Sequence, residues 1–282
     1  MKIKRISAPL LFVFLITATA FGQSSLIKRT SFKTDKLDFG VGGTLSVIGA
    51  PNGSIRIEGW SSREIEINAE IVIEAASEAD LNLLSKVIGF VTEESLSRTG
   101  IVTTGTHDKK FMKAVDKKFP KTLIGLPFAV NYVIKVPRYC DLQIDGGKGG
   151  LSISGVEGNF KINYLESDAK IELVGGGIFA TIGKGTLDIS IPMRGWRGRF
   201  ADVQMATGTL SLTIPTGLNA EFDATILRTG KIENGYSGFV PRSRKFEFTD
   251  KSIAAKSGLG SIPLKFTVGD GNMIIKEIGK PS

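Results

Sequence analysis

The chain has 282 residues and a formal net charge of +8 at pH 7, and 41% of its residues are hydrophobic. This apolar share is ordinary for a folded protein and argues against disorder. The charge excess is mild, so the composition does not indicate a nucleic-acid-binding protein. A single cysteine excludes a scaffold built on disulfides, and 34 glycines indicate many tight turns.

The first 22 residues have the pattern of a secretory signal peptide. A basic start with Lys2, Lys4 and Arg5 precedes an apolar run over residues 10–21. Small residues follow, and we expect cleavage before Gln23. The alternative is an uncleaved membrane anchor, but the run is short for a span of about 20 residues. Cleavage would leave a net charge of about +5 and no membrane span, in a protein exported to the periplasm, the outer membrane or the cell surface.

After the signal, the pattern divides the chain into an N-terminal linker (23–37), one domain (38–278) and a tail (279–282). The domain begins with apolar pairs two residues apart, which place both members on one face of a strand. These pairs are Leu45/Val47, Ile55/Ile57 and Ile65/Ile67. A helical apolar stripe that follows Ser77 then predicts a helix over 78–88.

A lysine-rich insertion spans residues 105–128. It contains six lysines with apolar residues between them: Lys109, Lys110, Lys113, Lys117, Lys118 and Lys121. The pattern allows an amphipathic helix that contacts an anionic surface. The alternative is a solvated loop or a short helix that covers an edge of the β-structure. His107 is the one histidine of the sequence, and the residues around it form no motif for a catalytic triad or a zinc site.

A nine-residue apolar repeat from Leu142 to Ile189 is the strongest signal in the chain. Each of six consecutive units has two apolar positions separated by one residue: Leu142/Ile144, Leu151/Ile153, Phe160/Ile162, Ala169/Ile171, Ile178/Ala180 and Leu187/Ile189. Small residues recur seven positions after the first five of these starts: Gly149, Gly158, Ser167, Gly176 and Gly185. Each unit is therefore predicted to be a short strand with two inward side chains and a turn.

Two such units would form one coil of eighteen residues, and the coils would stack through backbone hydrogen bonds. The predicted fold class is all-β, a β-solenoid or single-stranded β-helix-like stack with one short helix. Cys140 has the parity of Leu142 and should point inward as a small hydrophobe. The repeat breaks at 192–199 and resumes shifted. Residues 234–261 are predicted to be irregular, and two final strands are predicted to flank a turn at 269–272.

Known repeat chemistries fail in this sequence. Calcium-binding nonapeptides need an aspartate in each turn, and Leu151 stands in that position of the first turn. The hexapeptide helix of acyltransferases needs an apolar residue every six positions, but Lys148 and Glu157 stand there. No phosphate-binding loop, metal site or cofactor is predicted.

The segment at the break of the repeat contains the candidate ligand-binding residues: Arg194, Trp196, Arg197 and Arg199. Arginine at this density suits carboxylates or phosphates. With Asp188 and Asp202, the group also allows a polysaccharide lyase of the β-helix type. The alternative is a solvated basic loop in which Trp196 caps the core.

Several motifs resemble the exported bacterial "putative adhesin" family of β-strand-repeat domains. They are the segment from Asn52 to Trp60, the strand from Glu64 to Ala69, Val136-Pro137 before the repeat, and the closing segment from Gly271 to Ile275. The similarity covers about residues 40–278. It implies a β-helix-like fold in the cell envelope and no established catalytic residues.

The leading functional hypothesis is a non-enzymatic envelope protein that acts as a binding or scaffolding solenoid. Its partner would be an anionic glycan or another protein of the envelope or surface. The alternatives are the lyase that uses the segment near 188–202 and a membrane-surface or partner-docking protein that uses Lys109 to Lys121.

Overall fold

The computed structural model describes residues 26–40, 42–95, 97–192, 196–244 and 247–278. The predicted signal peptide, Arg194 and the tail at 279–282 lie outside these residues. Within them, the fold is all-β, with seventeen strands, two short α-helices and one short 3-10 helix.

The first half of the described chain contains β1 (Ile27–Asp38), β2 (Thr44–Ile48), β3 (Ile55–Trp60), β4 (Glu64–Ala75), α1 (Glu78–Leu84), β5 (Gly89–Glu94), β6 (Arg98–Thr104), α2 (Lys109–Val115), the 3-10 helix (Lys121–Leu123), β7 (Phe128–Pro137) and β8 (Asp141–Lys148). The second half contains β9 (Leu151–Ser154), β10 (Gly158–Glu172), β11 (Gly175–Ser190), β12 (Arg197–Ile214), β13 (Ala220–Ile226), β14 (Ile232–Asn234), β15 (Val240–Pro241), β16 (Ser252–Ser257) and β17 (Ile262–Glu277).

Strand pairing produces two ladders. The first ladder runs β5–β6–β2–β8 and continues through the first halves of β10, β11, β12 and β17 to β13, β16 and β15. The second ladder runs β1–β4–β7–β3–β9 and continues through the second halves of the same four long strands to β14. Among the described residues the sheet stays open. The buried apolar side chains of both ladders form one hydrophobic cluster.

The nine-residue repeat forms the middle of both ladders. Phe160 pairs in parallel with Leu142 on one side and Ile178 on the other, so that neighbours are 18 residues apart. All twelve apolar positions of the repeat are at most 3% exposed. The predicted eighteen-residue spacing and the inward facing of these side chains are therefore confirmed.

The predicted break of the repeat is a change of register between β11 and β12. Ile178 pairs with Ala201, which is 23 residues away instead of 18. A β-bulge beside Gly176 leaves Arg199 as the extra residue of β12. Since a bulge bends its strand locally, we expect a bend at the start of β12, which stays paired with β11 on both sides of Arg199.

The C-terminal third departs from the prediction. The segment at 269–272 is not a turn between two strands but a corner within the continuous strand β17. Gly271 has a φ of 138° and pairs with Gly208, so that β17 follows β12 through the corner in one register. β17 lies between β12 and β13, and the segment predicted to be irregular contains β15 and β16. The sequence did not predict β15 and β16 because both are short and contain few large apolar residues.

The N-terminal region also differs from the prediction. Residues 27–37, which were assigned to the linker, form β1 together with Asp38, and β1 pairs with β4 along its whole length. The alternation of apolar and polar residues is weak in β1. One face of the strand contains the charged residues Arg29, Lys33 and Asp35, whereas apolar residues on that face would have predicted a strand. The helix predicted over 78–88 ends at Leu84, after Ser77 caps its start by accepting from the Asp80 amide at 3.2 Å. Turns replace its last residues.

In the lysine-rich insertion, the apolar side chains fix two short helices to the core. Asp108 caps α2 by accepting from the amides of Lys110 and Phe111 at 2.9 and 3.0 Å. Met112 and Leu123 are buried. The segment is therefore a pair of short helices that cover the β-structure, with its lysines in solvent.

Glycine allows the coils to approach at their corners. A Cβ added to Gly208 would lie 1.9 Å from the carbonyl oxygen of Gly185, and Gly208 has a φ of 140°. Both facts exclude a side chain there without movement of the backbone. The same corner contains Gly149, Ser167, Gly185, Gly208 and Gly271 in neighbouring strands.

We expect Gly208→Ala to destabilise the protein by about 1–3 kcal/mol through the strained φ alone, with the steric contact adding to this loss. Gly40→Ala is the matched control, since a Cβ there would have no atom within 4 Å. Urea unfolding measures both variants. Equal midpoints for the two variants would contradict the requirement for glycine at this corner.

Candidate functional site

Four turns that lead from the second ladder back to the first lie side by side with the turn that joins β3 to β4. We call this surface the turn edge; it comprises residues 59–63, 137–141, 155–159, 174–176 and 196–199. Backbone hydrogen bonds join its turns: the Arg138 amide donates to the Trp60 carbonyl at 3.1 Å, and the Glu157 amide donates to the Arg138 carbonyl at 2.7 Å. The side chains on these turns are therefore held at fixed spacing by the ladders on both sides.

The turn edge contains an aromatic cleft of about 700 Å³, lined by residues 59–63, 137–139, Gly155 and Val174. Trp60 and Tyr139 supply its aromatic surface. The indole nitrogen of Trp60 donates to the carbonyl oxygen of Glu64 at 2.8 Å, so its polar atom is satisfied within the protein. Tyr139 is 50% exposed.

An arginine cleft of about 380 Å³ adjoins the aromatic cleft. It is lined by Gly42, residues 139–141, residues 157–159, Gly176, Arg197 and Arg199. Tyr139 lines both clefts. The two clefts therefore meet at one aromatic side chain.

The carboxylates of the arginine cleft are already engaged. Asp141 accepts from the backbone and side-chain nitrogens of Asn159 at 2.7 and 3.2 Å. Glu157 accepts from Arg197 at 3.1 Å. Within the described residues, the guanidinium groups of Arg63, Arg138 and Arg199 pair with no carboxylate. The turn edge therefore has an excess of positive charge available to a ligand.

The structure places the four candidate ligand-binding residues differently. Arg197 and Arg199 line the arginine cleft. Trp196 packs against the hydrophobic core, and its ring covers Gly198, where an added Cβ would lie 2.2 Å from a ring carbon. Arg194 lies outside the described residues. The arginines at 197 and 199 thus belong to a cleft, and Trp196 belongs to the packing beneath it.

The carboxylates of the lyase alternative lie apart from this cleft. Asp188 belongs to the second ladder, where it lines a shallow groove with Lys170 and Ser211. Asp202 belongs to the first ladder and accepts from Gln204 at 3.4 Å. The acidic groups next to Arg197 and Arg199 are instead Asp141 and Glu157. Asp141 accepts hydrogen bonds from Asn159, and Glu157 accepts one from Arg197.

All six lysines of the lysine-rich insertion are exposed. No described residue forms an ion pair with any of them. Val115 and Ile124, which lie among them, are 41% and 46% exposed. The insertion therefore presents a basic surface with two apolar side chains.

His107 stacks on Phe128, with ring centroids 5.7 Å apart. Partial burial of the imidazole lowers its pKa below the ordinary value, although Asp108 and a backbone hydrogen bond to Thr103 act in the opposite direction. Across the described ranges there is no group of three or more His, Cys, Asp or Glu residues arranged to hold a metal ion. Nor does any described helix have the length and apolar character needed to cross a bilayer.

The sequence did not identify most residues of the aromatic cleft. Arg138 and Tyr139 directly follow the end of β7, and Arg63 directly precedes β4. None of the three belongs to a motif that the sequence pattern reveals. A usable signal was the position of Trp60 at the end of a strand, three residues after the apolar pair Ile55/Ile57. What brings these residues together is the pairing of β3 with β7, which are separated by more than 60 residues.

No protein-family model matches the chain, and no curated protein matches it. The fold resembles that of a "putative cell adhesion protein" from Clostridium sporogenes, which is 12% identical, with a TM-score of 0.47, over 88% of this chain and 100% of that chain. A "putative adhesin" from Bacteroides fragilis is 9% identical, with a TM-score of 0.29, over 88% and 97%. A "putative lipid binding protein" from Parabacteroides distasonis is 11% identical, with a TM-score of 0.22, over 88% and 95%.

Cys140 lies beneath the arginine cleft and is 1% exposed, which confirms the predicted inward facing. Burial disfavours the thiolate and raises the pKa of Cys140 to about 12. We expect negligible alkylation of the folded protein at pH 8 and rapid alkylation in denaturant, because only unfolding restores an ordinary pKa. Mass spectrometry after iodoacetamide treatment measures this, with Cys140→Ser as the unreactive control. Stoichiometric labelling of the folded protein would contradict the burial.

Proposed function

We propose that the protein is a non-enzymatic, exported cell-envelope protein of the adhesin type that binds a partner through its turn edge. The partner is an anionic glycan or another protein of the envelope or surface. The signal peptide at 1–22 directs export, and the protein acts in the periplasm, at the outer membrane or at the cell surface. No cofactor is required.

The observation that carries this proposal is the arrangement of charge on the turn edge. Three arginines lie there without a carboxylate partner among the described residues, whereas the acidic side chains beside them are held in hydrogen bonds. Free guanidinium groups favour the binding of anions. Acidic side chains that are already engaged are poor candidates for general acid or base.

The scaffold supports a binding role in a second way. We infer that the coils form a β-solenoid-like domain, extended at its start by β1 and covering residues up to 278. The parallel eighteen-residue register supports this inference, since such stacks present long surfaces of repeated turns. A rigid surface of this kind favours binding because its side chains are ordered before the ligand arrives.

The lyase alternative requires that the residues near 188–202 cleave the polysaccharide as well as bind it. On incubation with anionic polysaccharides, we expect the purified protein to bind without shortening the chains, because the described carboxylates beside Arg197 and Arg199 already accept hydrogen bonds within the protein. Size-exclusion chromatography of the polysaccharide measures chain length. Cleavage that disappears in Arg197→Ala would replace the binding function with a lyase.

A second candidate function is favoured by the lysine-rich insertion. Exposed Val115 and Ile124 among six unpaired lysines would suit contact with an anionic membrane surface. The test is co-sedimentation with vesicles of phosphatidylglycerol and phosphatidylcholine. If this surface functions, binding falls with added salt and falls further in Lys113→Glu/Lys117→Glu, whereas Lys161→Glu on the repeat face serves as control. Absence of salt-sensitive sedimentation would exclude this candidate.

A further inference from the structure

We propose that the aromatic cleft and the arginine cleft form one continuous binding site for a carboxylate-bearing oligosaccharide, such as a chain of uronate sugars. The inference rests on the proposed function, because it names the chemical class of the partner that the turn edge binds.

The continuity of the two clefts follows from the backbone. Tyr139 lines both clefts and pairs with Glu157 in an isolated parallel bridge. The turns lie in the order Tyr139, Glu157, Gly175 and Arg197, and each contacts the next. Neighbouring turns are separated by about 4.8 Å, so these three steps span about 14 Å. Each step is close to the length of one sugar residue in an extended chain, which favours a polymeric ligand.

The charge of the site favours a carboxylate ligand. Arg63 and Arg138 line the aromatic cleft, Arg199 lines the arginine cleft, and no described carboxylate pairs with them. A guanidinium group binds a carboxylate through two parallel N–H donors. Arginines distributed along the turn edge therefore match a ligand that carries a carboxylate at intervals.

The aromatic surface favours a sugar over an acidic peptide. A pyranose ring has a flat face of C–H groups, and this face packs on an aromatic ring while the polar groups at its rim remain free to hydrogen bond. Tyr139 is half exposed, and the polar atom of Trp60 is satisfied internally. Pro137 and Val174 add apolar surface to the same cleft. Lys135 lies 5.4 Å from the centroid of the Trp60 ring and Arg138 lies 5.9 Å from that of Tyr139. An acidic peptide would satisfy the arginines but would offer no flat apolar face to the exposed part of these rings.

The experiment is calorimetric titration of the full mature chain with tetramers of galacturonate, mannuronate and guluronate. A neutral galactose tetramer and a tetraglutamate peptide are the comparison ligands. We expect at least one uronate tetramer to bind about tenfold or more tightly than both comparison ligands. Arg63→Ala, Arg199→Ala and Tyr139→Ala should each weaken that binding about tenfold, which is typical for loss of one charge-assisted or aromatic contact.

Two variants outside the clefts serve as matched controls. Arg56→Ala removes one positive charge from the face of β3, and Phe32→Ala removes an aromatic ring that is 75% exposed on β1. Neither should change the affinity.

Four outcomes would each overturn the inference and leave a protein partner for the turn edge. They are absence of uronate binding, equal binding of the neutral tetramer, preference for tetraglutamate, and unchanged affinity in Tyr139→Ala. Cleavage of a bound tetramer would overturn the proposed function instead, while the same site would then be catalytic.

Discussion

The structure depends on the parallel, in-register contact between backbones of successive coils. Ladder hydrogen bonds fix neighbouring strands at one spacing, and the corners must obey the same spacing although the chain turns there. At Gly208 and Gly271 the backbone of one corner lies against the carbonyl of the next, so that no side chain fits between them. Glycine at these corners therefore keeps both ladders in one register, and the core between them follows from it.

A stack of this kind must end, and its N-terminal end is closed by polar contacts. The edge strand β1 turns charged side chains toward the covering elements, where Arg29 donates to Asn82 of α1 at 2.8 Å and Lys33 donates to the Phe90 carbonyl of β5 at 2.7 Å. Charged residues that point inward from an edge strand disfavour pairing with another chain. The same side chains thus join the two ladders and protect the open edge.

The turn edge is a consequence of the same register. Strand ends from distant parts of the sequence arrive side by side because the ladders align them. Among their turn residues, Arg63, Arg138 and Arg199 face solvent, whereas Cys140 is buried. The exposed turn positions contribute little buried apolar surface. Arginines and aromatic rings can therefore occupy them without destabilising the hydrophobic core. The bulge at Arg199 falls within the turn edge, where it shifts the register between β11 and β12 beside Gly176.

The sequence by itself determined the middle of the fold. Alternation of apolar residues from Leu142 to Ile189 determined the inward faces, because a slip of one residue would turn every apolar side chain outward. Two nine-residue units per coil then predicted the eighteen-residue register. The same alternation also located the break near Arg197. The order of β12, β17 and β13 could not be predicted, since three strands with similar alternation can pair in several orders, and long-range corner packing selects one. The strand β1 was missed because its inward residues are charged.

The candidate site shows the same division. The sequence identified Arg197 and Arg199 because they cluster within a few residues of each other. It could not associate them with Tyr139 and Trp60, because that proximity arises when β3 pairs with β7 and the following turns align. Local periodicity determines which face of a strand is buried. The neighbours of a turn are determined by hydrogen bonds between strands that are distant in sequence. Those hydrogen bonds exist only in the tertiary structure.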